Sequence, residues 1–86
     1  MEKHFRIIEL EERQVLLTKD FKVDEQDVPA EELVVSFFLD GVRINQVFGF
    51  SPDNVKERDT MFEKFTKEDA ESIVNGVIEM IDKATE

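Results

Sequence analysis

Leu33 to Phe50 reads LVVSFFLDGVRINQVFGF, two apolar runs joined by Asp40-Gly41. A two-residue Asp-Gly loop takes positive φ at both positions and closes a tight antiparallel hairpin. That turn sets the register. Leu39 faces Val42, Phe37 faces Ile44, Val35 faces Gln46 and Leu33 faces Phe48. Because side chains alternate along a strand, these eight share one face of the sheet, and seven of them are apolar. The opposite face pairs Phe38 with Arg43, Ser36 with Asn45 and Val34 with Val47, a mixture that is neither dry nor wet.

Upstream, Lys3 to Leu10 (KHFRIIEL) reads as a first strand and Arg13 to Val23 as a second. In the second, Val15, Leu17, Phe21 and Val23 alternate, and Lys19 breaks the pattern. Glu11-Glu12 marks the tip between them, without the Gly or Asn that would specify a turn. Both faces of this pair carry apolar residues, Phe5 and Ile7 on one side of the first strand, Ile8 and Leu10 on the other. The stretch Asp24 to Glu32, DEQDVPAEE, holds five carboxylates, no base and Pro29. It reads as a connector between two hairpins, with room for a short helical turn at Pro29–Glu32.

Downstream, Ser51-Pro52-Asp53 has the chemistry of a helix start: a capping hydroxyl, a proline in the first turn and an acid at the positive helix end. The helix is expected to end near Glu63 or Lys64. Its apolar positions, Val55, Met61, Phe62 and Phe65, are sparse, so the segment is expected on the surface. Thr66, with Asp69 three positions on, opens a final helix by a capping box. Ala70, Ile73, Val74, Val77, Ile78 and Ile81 then form an apolar stripe of helical period. Gly76 lies within it at a cost of ~1 kcal/mol relative to alanine, which suggests close approach to the sheet.

The fold class expected from these elements is α+β. A four-stranded antiparallel sheet of two hairpins packs on a long C-terminal helix, in the order ββββαα, as a two-layer sandwich over residues 1–86 as one domain. Ile73, Val74, Val77, Ile78 and Ile81 are expected to meet Leu33, Val35, Phe37, Leu39, Ile44 and Phe48. A small barrel-like sheet wrapped around the helix is the alternative.

Composition narrows the function classes. The 86 residues include no cysteine and one histidine, so disulfides, thiolate zinc sites and multi-histidine metal sites within one chain are excluded. Small domains lacking such staples often use a partner subunit. The net charge of −10 disfavours nucleic acid and anionic membranes and favours, if anything, a basic partner. All eight aromatics are Phe, which gives no polar handle for sugars or stacked bases. The start MEKHFRIIELEER lacks the apolar run of a signal peptide, and the expected compartment is the cytoplasm.

No constellation for catalysis emerges. A triad would need His4 as its base, beside a chain end. No carboxylate pair stands out from a solvated face. The acidic run from Asp20 to Asp27 lacks the glycine and spacing of a calcium loop, which leaves only weak divalent binding by crowded acids around residues 24–32. Gly41, Gly49 and Gly76 form no phosphate cradle. Phe48-Gly49-Phe50 lacks the basic flanks of an RNA-binding sheet. No catalytic residue, cofactor or metal is therefore assigned. What remains is the second sheet face. Val34, Phe38 and Val47 stand on it, and one helix can cover only one face. Such a surface marks a contact site, to be covered by a second copy, a different protein or the Ser51–Phe65 segment. The expected function is a non-catalytic interaction module forming a homodimer. The alternative is a small-ligand binder with a Phe-lined pocket between sheet and helix.

Overall fold

The computed structural model describes residues 4–85. Strands β1 (Phe5–Glu9), β2 (Gln14–Val23), β3 (Pro29–Leu39) and β4 (Val42–Phe50) form one antiparallel sheet in the order β1-β2-β3-β4. A 3-10 turn at Pro52–Asn54 leads into helix α1 (Val55–Lys64), and helix α2 (Lys67–Ala84) follows. The ββββαα order is the expected one. The expected strand start at Lys3 lies outside the described residues.

The central hairpin has the register that its turn dictates. Asp40 has φ 50° and Gly41 φ 80°, the left-handed pair of a type I′ turn. Leu39↔Val42, Phe37↔Ile44, Val35↔Gln46 and Leu33↔Phe48 are all paired. At its other end the connector is shorter than expected. Pro29 is not the start of a helical turn but the first residue of β3, opposite Val23. A strand's first position tolerates a proline because no ladder bond is lost there. The loop is thus Asp24–Val28, folded around Asp24, whose Oδ1 accepts from the N–H of Gln26 (2.8 Å) and of Val28 (2.9 Å).

Ile8, Val15, Leu17, Leu33, Val35 and Phe37 are buried on one face of the sheet. Phe62, Ala70 and Val74 from the helices and Phe65 from the link between them meet these residues in a single cluster. Both helices therefore lie on the same side, which makes two layers. The first hairpin contributes Ile8 to the core, so Phe5 and Ile7 face outward.

Three expectations about the helices change. The Ser51–Phe65 segment is not a surface decoration. Helix α1 packs on β2 and β3 and buries Phe62 and Arg58. The KERDT stretch is polar, yet Arg58 has its own buried socket. Its Nη1 donates to the carbonyls of Asp20 (3.1 Å) and Glu32 (3.2 Å) and lies 3.1 Å from Glu31 Oε2; its Nε donates to Asp59 Oδ1 (2.9 Å). Lys19, the break in the β2 pattern, follows the same logic. Its ammonium sits 4.9 Å from the Phe62 ring centre and 3.6 Å from Asp59 Oδ1, so its stem lies in the layer while its charge is held.

The second change concerns α2. Its capping box forms as expected, with Thr66 Oγ1 accepting from Asp69 N–H and Asp69 Oδ2 from Thr66 N–H. Of the predicted stripe, however, only Ala70 and Val74 are buried. Ile73, Val77 and Ile78 are half-buried, and Ile81 is 40 % exposed. The reason is that α1 takes the central strands and α2 is left to pack on β1, where the sheet ends. Third, Gly76 makes no close approach. A Cβ built there meets nothing within 4 Å.

Candidate functional site

The outer face of the sheet follows from the registers. One row across the strands is Phe5, Thr18, Val34 and Val47; the next is Ile7, Leu16, Ser36 and Asn45. A third places Glu9 and Gln14 on one side and Phe38 and Arg43 on the other. The predicted residues Val34, Phe38 and Val47 are thus on one surface. Phe38 is 63 % exposed and Val47 45 %, whereas Val34 is half-buried between its strand neighbours.

This patch is wider than the sequence reading had it. Phe5 (60 % exposed) and Ile7 (55 %) join it from β1, and Leu16 joins from β2. Leu16 was missed, although its place between the buried Val15 and Leu17 is the signal: a strand buried on one face alternates, and QVLLT does not. Neither helix reaches this face, so α1 does not cover it.

Polar groups on the face are organised rather than scattered. Ser36 Oγ donates to Asn45 Oδ1 (2.7 Å), and Gln14 Nε2 donates to Glu9 Oε1 (2.6 Å). Arg13 Nη1 donates to the Phe38 carbonyl (3.3 Å) at the end of the sheet nearest the Asp40-Gly41 turn. Between these lies a groove of about 280 Å³ lined by Ile7, Gln14, Leu16, Ser36, Phe38 and Arg43. Ser36 is buried in it, Leu16 is half-buried, and Ile7, Gln14, Phe38 and Arg43 are exposed around them.

The other sequence candidates have structural surroundings. His4 is exposed, and its carbonyl accepts from Lys19 N–H (2.9 Å) as a ladder bond. In the acidic loop, one oxygen of Asp24 is committed to backbone N–H groups. Among the described residues, no group of three or more His, Asp or Glu side chains is placed to hold a metal ion. The Phe side chains between the layers, Phe37, Phe62 and Phe65, are no more than 4 % exposed and fill the core. No helix among the described residues is long and apolar enough to cross a membrane.

Comparison of the chain with protein-family models, with curated proteins and with solved structures returns no match.

Proposed function

We propose that this chain is a non-catalytic interaction module that self-associates through the outer face of its sheet. The observation that carries the reading is surplus surface. The chain exposes 6466 Å², whereas a monomeric protein of 10.1 kDa is expected to expose about 5,300 Å². The difference, roughly 1,200 Å², exceeds the ~800 Å² that each partner gives to an interface of standard size. Shape agrees: the radius of gyration is 14.1 Å, against about 12 Å for a compact chain of this length. A slab with one uncovered face has this geometry.

A second copy is the occupant that the face itself favours. Consider a two-fold axis running parallel to the strands between two stacked sheets. It sets β1 over the second copy's β4, and β2 over its β3. Glu9 then lies against Arg43, Phe5 against Val47, and Phe38 over the groove beside Gln14 and Leu16. Opposite charges and apolar pairs are matched twice by symmetry, as an isologous contact requires. Like charge enters at the far end, where Asp20 approaches Glu32, so total charge opposes the association and these local pairs orient it.

Sedimentation of the parent and of Phe38→Glu at micromolar concentration tests this. The parent is expected to run as an assembly. The variant is expected to run as a smaller, folded species with unchanged circular dichroism, since Phe38 contributes nothing to its own core. A parent that is monomeric at that concentration refutes self-association through this face. So does a Phe38→Glu protein with the parent's mass.

A further inference from the structure

We infer that the free edge of β4 is a second self-recognition surface, at which two copies join β4 to β4 in antiparallel register centred on Gln46. This goes beyond the face contact above and is independent of it.

The edge is open and unusually well preserved. β4 runs nine residues, Val42–Phe50, and pairs with β3 throughout without a bulge. It carries no proline and no lysine, the devices that usually blunt an edge. The other edge strand, β1, has five residues and lies beside α2. Turn geometry says which main-chain groups of β4 are unpaired. A two-residue loop makes Leu39 and Val42 a hydrogen-bonded pair. Val42, Ile44, Gln46, Phe48 and Phe50 therefore turn their N–H and C=O groups inward to β3. Arg43, Asn45, Val47 and Gly49 turn theirs outward. Among the described residues, none of these outward backbone groups has a hydrogen-bond partner.

Those four residues are self-complementary. Full antiparallel overlap of two copies of residues 42–50 puts the two-fold axis at Gln46. Arg43 then faces Gly49 and Asn45 faces Val47, each pair using outward groups only. Four such pairs supply about eight main-chain hydrogen bonds. The side chains agree with the main chain. On the helix side, Val42 meets Phe50 and Ile44 meets Phe48, in the non-hydrogen-bonded positions where side chains come closest. Helix α1 reaches β4 and leaves Ile44, Phe48 and Phe50 half-buried. None of the four is fully buried, and Val42 is 60 % exposed.

Charge selects a second copy as the occupant. The chain has a net charge of −10, yet no acid occurs between Gly41 and Ser51. β4 carries Arg43 alone. Two strongly acidic molecules can meet along this strand without an acid within it, and the outward positions nearest the axis are neutral.

Residue-resolved amide exchange tests the pairing. Inward amides of β4 are protected by β3 in every species and report that the hairpin is folded. The outward amides of Arg43, Asn45, Val47 and Gly49 are expected to slow with protein concentration, by about fivefold at a total concentration ten times the dissociation constant. Gln46→Glu sets two carboxylates face to face on the axis. Gly49→Pro removes an outward N–H at a position where an added Cβ meets nothing within 4 Å. Both are expected to abolish the slowing while inward protection persists. Phe38→Glu alters the outer face beside Arg43 but supplies none of the outward main-chain groups, so it is expected to retain the slowing, which separates this pairing from the face contact. Concentration-independent exchange at all four outward amides overturns the inference and leaves the edge to a strand of a different protein. Retention of the parent's behaviour in both edge variants, or its loss in Phe38→Glu, overturns it equally.

Discussion

Replacing Arg58 tests whether a charged residue in a polar stretch of α1 anchors the fold. Arg58→Met keeps the aliphatic stem and deletes the guanidinium. Two donations to strand carbonyls, at 3.1 and 3.2 Å, are lost, together with contacts to Glu31 at 3.1 Å and Asp59 at 2.9 Å. A hydrogen bond from a charged donor contributes about 1.5–3 kcal/mol. The carboxylates left behind recover part of this from water, because the Glu31 side chain is 20 % exposed and that of Asp59 39 %. The net cost is therefore about 2–4 kcal/mol, below the sum of the bonds. Arg58→Lys restores a point charge but not the fork that serves two carbonyls and two carboxylates, so it is expected to cost about 1–2 kcal/mol. Urea unfolding at one fixed protein concentration reads both, since an associating protein has a concentration-dependent midpoint. At a slope of ~1 kcal/mol/M, the Met variant's midpoint should fall by about 2–4 M and the Lys variant's by about half as much. A midpoint within ~0.3 M of the parent's for Arg58→Met would refute the anchoring role.

The remaining expectations concern the turn, the helices and the charge. Gly41→Val places a β-branched residue at φ 80° and should cost about 1–3 kcal/mol; an unchanged denaturant midpoint would contradict the turn assignment. Gly76→Ala should instead stabilise by about 0.5–1 kcal/mol, since the new Cβ is free of contacts; a lower melting temperature would show that the position is occupied from outside. Phe62→Ala, at 3 % exposure, should cost about 3–5 kcal/mol, whereas Ile81→Ala should cost well under ~1 kcal/mol. Comparable thermal shifts for the two would mean that α2 rather than α1 carries the core. Self-association should tighten as salt rises, because each copy brings a net charge of −10. Sedimentation across a salt series with the opposite trend would point to attractive charge pairs as the main driving force.

Local chemistry made the central hairpin readable from the chain. Asp40-Gly41 admits few conformations, and that small set fixes every pair from Leu39↔Val42 to Leu33↔Phe48. The capping box of α2 was legible for the same reason, since Thr66 and Asp69 satisfy each other within one helical turn. The apolar character of the outer face at Val34, Phe38 and Val47 followed from strand alternation alone. What the chain left open depended on which element wins a shared surface. Phe5 and Ile7 could have faced either way until Ile8 packed under the helices. The stripe on α2 looked like the core because periodicity reports a face, not the depth at which that face is buried. Phe62 and Phe65 of the less apolar segment took the central strands and displaced α2 to the β1 side. Arg58 read as a surface residue and Lys19 as a break in the strand pattern because composition records their charge. The carbonyls, carboxylates and aromatic ring that make their burial tolerable come together only when the sheet and α1 are in place.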